Sequence, residues 1–246
     1  VKTIVIANNK GGVGKTTVAS QIAFYLGRAG YSVIAVDLDG QRNLTSAMGG
    51  ARVVGNALQM LESGEAPSFS VVPGEVVLIE GDRDVPVSSD DTVLQGTVAA
   101  LDGLAGADFC IMDTPPTFSA LVYGALLTAD FMLSPIELKR FSLDGVEGVL
   151  KAFVQVQEIN EGIQFLGLLP SRFDAVKKNE RETLLAVAES YSNLLVPHAI
   201  RNRVGYEAAE AEGIPVFEVP TASGKEAAAE FGAFFDWFID AVEKED

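Results

Sequence analysis

The run Asn8-Asn9-Lys10-Gly11-Gly12-Val13-Gly14-Lys15-Thr16-Thr17 lies between an apolar segment, Thr3-Ile4-Val5-Ile6-Ala7, and a helical pattern from Thr16 to about Ala29. Strand, glycine-rich loop and helix N-terminus in that order make a phosphate cradle. Backbone N–H groups of the loop and first helical turn converge on one spot, and the helix dipole adds partial positive charge there. Lys15 supplies a full charge for β- and γ-phosphates, and the Thr16 hydroxyl is placed to ligate Mg²⁺. Glycines are required because a Cβ would block close backbone approach and the positive φ angles of the loop.

The strict phosphate-loop pattern, G-x-x-x-x-G-K-[ST], fails at its first position, where Asn9 stands instead of glycine. A second lysine, Lys10, opens the loop. Lys10-Gly11-Gly12-Val13-Gly14-Lys15-Thr16 resembles the deviant Walker A box of the ParA/MinD family of ATPases. The resemblance implies ATP and Mg²⁺ as cofactors and a nucleotide-sandwich homodimer in the ATP state, with Lys10 reaching the partner's phosphates. It places Lys10, Gly11, Gly12, Val13, Gly14, Lys15, Thr16 and Thr17 on the nucleotide.

Moving outward, the helix carries Val18, Ala19, Ile22, Ala23 and Leu26 at helical spacing and stops at Gly30. The run Ser32–Asp39 then reads as a buried strand ending in two carboxylates. Strand, helix and strand form a right-handed βαβ unit, whose ligands gather at the carboxyl ends of the strands. Asp37 and Asp39 are thereby expected beside the phosphate loop. Asp37-Leu38-Asp39-Gly40-Gln41-Arg42-Asn43 resembles the family's D-x-D-P-Q-x-N, with Gly40 in place of proline and a less constrained backbone after Asp39. By that resemblance Asp39 positions the attacking water and helps hold the Mg²⁺ shell, while Asp37 supports the site.

Asp108-Phe109-Cys110-Ile111-Met112-Asp113-Thr114-Pro115-Pro116 is a second landmark: an apolar strand ending in Asp113, the Walker B position, expected to bind Mg²⁺ through water. Its ending resembles the family's D-x-P-P γ-phosphate sensor. Lys10, Lys15 and Asp39 are the expected catalytic set; Thr16, Asp39 and Asp113 are the expected metal set. Cys110 reads as an inert core residue.

Between these landmarks, residues 43–64 suggest short helices, Asn56–Leu61 the clearest, and Glu75–Glu80 a short strand. A helix is expected from Asp90 to Leu104. After Asp113 the expected elements are helix Ser119–Ala129, strand Phe131–Ile136, helix Ser142–Glu158, strand Phe165–Leu169, a helix from Lys177 to about Tyr191, strand Leu194–Ile200, and helices Gly205–Glu212 and Lys225–Glu243. Lys139-Arg140 lie near where family members build a dimer face. Relatives hold adenine with the end of the 165–169 strand and the loop around Phe217–Thr221, which nominates Ser171, Arg172 and Pro220.

The chain has 246 residues, 48% hydrophobic and 21% charged, as expected of one folded α/β domain spanning 1–246. No apolar run approaches the length of a membrane span, and no signal peptide is evident at the start. One cysteine excludes an internal disulfide and fits a reducing cytoplasm. Net charge is −16, which opposes DNA binding globally but not at a local patch. Related ParA proteins bind DNA non-specifically through basic residues of the C-terminal region. Here Lys177, Lys178, Arg201, Arg203 and Lys225 are the candidates, with Arg172 and Arg181 nearby. The last helix presents Phe231, Phe234, Phe235, Phe238 and Val242 on one side. An acidic polar face makes core packing the expectation over a MinD-like lipid anchor. His198 and Trp237 read as packing residues.

The expected fold is α/β: a twisted, mostly parallel β-sheet flanked by helices. The expected activity is a slow ATPase stimulated by a ParB-like or other activating partner, acting in plasmid or chromosome partition or in cargo positioning. Its rivals are a MinD-like membrane switch and an ATP-dependent biosynthetic enzyme of the dethiobiotin-synthetase kind. A nitrogenase-reductase-like electron carrier needs two cysteines per subunit, and Cys110 stands alone.

Overall fold

The strands are β1 (Lys2–Ile6), β2 (Val33–Asp37), β3 (Arg52–Asn56), β4 (Val76–Glu80), β5 (Phe109–Asp113), β6 (Phe131–Glu137) and β7 (Gln164–Ser171). A computed structural model describes residues 1–140 and 143–244; Ser142, an expected first helical residue, and the terminal Glu245 and Asp246 lie outside them. The strands pair in the order β3-β4-β2-β5-β1-β6-β7, and all of these pairings are parallel. Parallel neighbours need crossovers, and helices supply them: α1 (Lys15–Arg28), α2 (Asn43–Ala47), α3 (Ala57–Ser63), α4 (Asp91–Asp102), α5 (Ala120–Leu127), α6 (Leu143–Gln157), α7 (Lys178–Ser190), α8 (Val204–Glu212) and α9 (Ala222–Glu243).

Every residue of β2 and β5 is buried, because both faces of the sheet are covered. Successive side chains alternate between faces. Val5, Ile34, Val36, Cys110 and Met112 join one core with residues of α3 through α6. Ile4, Ile6, Val33, Ala35 and Ile111 join the other with α1, α8 and α9. Phe231, Phe234 and Phe238 of α9 are fully buried there, so the aromatic stripe is core rather than a membrane face. Each such burial stabilises by about 1.5–3 kcal/mol. His198 packs between Phe234 and Trp237, with ring centroids 6.5 and 6.2 Å away.

Two expectations fail. Residues 52–56 form the edge strand β3 where short helices were expected. Val53-Val54 carry the β-branched signal, but Gly55 interrupts it with a register shift, and a Cβ there would lie 2.8 Å from Pro67. Asn56 instead caps α3, accepting from Gln59 N. The expected strand Leu194–Ile200 does not form; single bridges, Leu168 to Leu195 and Phe173 to Arg201, join that segment to β7 and the residues after it. Pro170 and Pro197 lack the N–H groups a continuous ladder needs.

β1 lies between β5 and β6, with β2 beyond β5. The carboxyl ends of β1, β2 and β5 therefore open side by side, with Ile6 and Asp37 each in register with Asp113.

Candidate functional site

The loop between β1 and α1 turns through two left-handed glycines, Gly12 at φ 75° and Gly14 at φ 89°. Gly14 has a second constraint: a Cβ there would lie 2.5 Å from Ser171 Oγ. Asn8, not singled out from sequence, ties the loop to β6. Its Nδ2 donates to Pro135 O at 2.8 Å and its Oδ1 accepts from Lys10 N at 2.9 Å. A polar residue directly after a buried strand was the available signal.

Lys15 is 6% exposed and donates to the carbonyls of Lys10 (3.1 Å) and Asn8 (3.4 Å). Burial lowers its pKa, against the pull of Asp113 and Asp39. Thr16 Oγ1 donates to Asp113 Oδ2 at 2.6 Å. Asp113 is fully buried, and its Oδ1 has no hydrogen-bond partner among the described residues. Burial pushes its pKa up to about 8, helped by Asp37 and Asp39 and opposed by the Thr16 bond and Lys15. An orphaned buried carboxylate oxygen beside a threonine hydroxyl is a hard-oxygen set that fits magnesium, which takes few protein ligands and keeps water and phosphate oxygens.

Asp37 is fully buried, which raises its pKa. Its oxygens accept from Thr45 N, Thr45 Oγ1 and Asp39 N. Asp39 is partly exposed at the mouth of the cleft, its Oδ1 accepting from Gln41 N.

Lys15, Thr16 and Asp39 line a cleft of about 560 Å³ together with Gly11, Gly12, Gly14, Thr17 and Pro116. Arg172, α2 residues Asn43, Ser46 and Ala47, and α8 residues Glu207, Glu210 and Ala211 line the rest of it. Thr17 Oγ1 donates to Glu210, so α8 touches the phosphate loop directly. Neither glutamate was expected at the site. Arg172 adopts φ 54° and reaches Gly12 O at 3.4 Å.

Not every expected residue arrives. Ser171 is buried behind Gly14 and lines a side pocket of about 50 Å³ rather than the cleft. Pro220 is exposed just before Thr221, the N-cap of α9, and is not among the residues lining the cleft. Val13 is 3% exposed, and with Lys10 it lines a separate small pocket beside Ile136, Glu137 and Val146. Lys139 is exposed in the short turn Leu138–Arg140.

The basic residues of the C-terminal third stand beside carboxylates. Lys177 pairs with Asp174 (3.0 Å) and Glu180 (3.4 Å), and Lys178 with Glu182 (3.5 Å). Arg201 and Arg203 both reach Glu230, at 3.5 and 3.3 Å, and Arg203 also meets Glu226. Lys225 is exposed. Cys110 is buried with its thiol pKa pushed up to about 12, and so stays protonated and inert.

A family described as AAA domain matches residues 1–165. Protein IncC of Escherichia coli is 30% identical over 260 residues, covering 99% of this chain and 70% of that protein. The chromosome-partitioning ATPase Soj of Thermus thermophilus is 34% identical over 185 residues, covering 71% and 70%. The chain belongs to the ParA/MinD family of deviant Walker A P-loop ATPases, in its partition branch. As a ParA-type enzyme it binds and hydrolyses ATP. Among solved structures, cobyrinic acid a,c-diamide synthase from Mycobacterium smegmatis with bound ADP and magnesium superposes with TM-score 0.72 at 27% identity, covering 86% of this chain and 91% of that one. Nucleotide and magnesium use is a property of the family to which this ParA-type ATPase belongs. No helix among its described residues is long and apolar enough to cross a membrane.

Proposed function

We propose that this ATPase is an ATP-driven dimer switch that partitions a plasmid or chromosome, or positions another cargo. The observation that carries the reading is the placement of the two loop lysines. Lys15 lines the 560 Å³ cleft, whereas Lys10 lines the neighbouring pocket with Glu137. A lysine at the loop's start, outside its own chain's cleft, suits contact with a second copy's phosphates. Members of the family dimerise when ATP binds and act with partner proteins.

In this reading Lys15 and the loop N–H groups hold ATP, and Arg172 and α8 enclose its nucleoside end. Thr16 and Asp113 would hold magnesium, which would supply charge neutralisation for phosphoryl transfer. Asp39 orients the attacking water, and a ParB-like or other partner sets when hydrolysis ends the dimer. Non-specific DNA is the expected track. The charge pattern makes a demand of it: phosphates must displace the carboxylates that now pair with Lys177, Lys178, Arg201 and Arg203, so binding is weak and strongly salt-dependent. The biosynthetic reading has the cobyrinic acid synthase likeness in its favour, but the named sequence relatives include chromosome-partitioning ATPases.

The test is light scattering of Asp39→Ala protein with ATP, with ADP and without nucleotide, followed by DNA binding across a salt series. An ATP-specific doubling of mass supports the switch; a mass unchanged by ATP overturns it. A dimer that ignores DNA at low salt removes DNA as the track and turns the search to a protein track.

A further inference from the structure

We propose that Thr45 is a positioning residue for hydrolysis, holding the Asp39 loop in place through Asp37 and Gly81. The proposal rests on the role given to Asp39 above and adds how that carboxylate is kept where it can act.

The chain after Asp39 has reason to wander. Gly40 stands at the proline position of the resembling motif and leaves φ unrestrained. Arg42 adopts φ 58°, a left-handed conformation unusual for a residue with a side chain. Such a segment keeps one geometry only if its surroundings enforce it. Hydrogen bonds do so at both ends. At the start, Asp39 N donates to Asp37 Oδ1 at 3.1 Å, and Arg42 N donates to Asp39 O at 2.8 Å. In the middle, Arg42 Nη2 pairs with Glu80 at 2.8 Å.

At the far end, Thr45 joins three backbone segments. Its N–H and Oγ1 both donate to Asp37 Oδ2, at 2.8 and 2.7 Å, while Oγ1 accepts from Gly81 N at 2.8 Å. Thr45 lies in the first turn of α2, whose N-cap residue Arg42 makes no side-chain capping bond. Asp37 therefore serves as a remote cap for that helix while its other oxygen holds Asp39 N. The carboxylate packs against the bare backbone of Gly81, where a Cβ would lie 2.8 Å from its Cγ. Among the described residues, Thr45 is the side chain that hydrogen-bonds to the Asp37 carboxylate, so its hydroxyl fixes the orientation from which Asp39 is held.

Thr45→Val keeps the shape and removes both functions of the hydroxyl, and Thr45→Ser restores them. The measurements are ATP affinity by calorimetry and the single-turnover hydrolysis rate with radiolabelled ATP, on the full chain. Valine should leave affinity within about threefold of wild type and slow hydrolysis at least about tenfold, since small misplacements of a reacting group carry rate losses of up to about 100-fold. Serine should return the rate to within about threefold of wild type. Gly81→Ala displaces the same carboxylate from the opposite side and should give the same split, which keeps the test open if the valine variant does not fold.

Wild-type hydrolysis in a folded valine or alanine variant overturns the proposal, as does a loss of affinity in step with rate, or a serine variant no faster than valine. Asp39→Ala separates the two levels. Wild-type hydrolysis by Asp39→Ala removes the role of Asp39 and this proposal with it. An inactive Asp39→Ala beside a fully active Thr45→Val removes only the positioning role.

Discussion

Replacing Asp113 by Asn should stabilise the nucleotide-free protein at alkaline pH, and the structure supplies the size of the effect. Asp113 is fully buried, one oxygen accepts from Thr16, and the other has no partner among the described residues. Its pKa stands at about 8 in the folded chain, against about 3.9 when unfolded. Between these values the native state holds a proton that the unfolded state has released, so stability from this group is complete below about pH 4 and declines as pH rises to about 8. Across the interval from about pH 5.5 to 8 the loss comes to about 3 kcal/mol, at 1.36 kcal/mol per unit. Asparagine keeps an acceptor for Thr16 and does not titrate. Urea unfolding at several pH values should show Asp113→Asn gaining on wild type by about that amount as pH rises. Parallel pH profiles for the two proteins would refute the account of Asp113 as a buried, uncompensated carboxyl.

Lys15→Ala should abolish nucleotide binding, measured by calorimetry; unchanged ATP affinity removes the site assignment. Lys10→Ala should still bind ATP but neither dimerise nor hydrolyse it, and normal ATP-dependent dimers by light scattering would defeat the bridging role. Gly14→Ala adds a Cβ 2.5 Å from Ser171 Oγ at φ 89°, and should weaken ATP binding at least about tenfold, since strain of about 1–3 kcal/mol is expected in such backbone; wild-type affinity would show that the loop relaxes freely.

What the sequence by itself determined is the chemistry that depends on neighbours along the chain. A loop that needs Gly12 and Gly14 at positive φ leaves its mark in consecutive residues, and so does a βαβ unit whose strands end in Asp37 and Asp113. The family resemblance followed from those same residues. Buried parallel strands announce themselves as apolar runs, and β1, β2, β5 and β6 were placed nearly to their ends. Where a segment's state rests on a distant partner, the local pattern misleads. β3 exists because β4 offers it an edge, and residues 194–200 stay irregular beside a proline-bearing β7.

Only the tertiary structure decided which charges stand opposed. Arg203 reaches Glu226 and Glu230, and a basic patch legible in sequence becomes a set of ion pairs. The same holds for Thr17 and Glu210, 193 residues apart, and for Thr45 with Gly81. Hydrogen bonds and ion pairs form over about 3 Å in space whatever the distance in sequence. Their partners are therefore settled by how helices pack on the sheet, a result of burying both faces together rather than of any single segment.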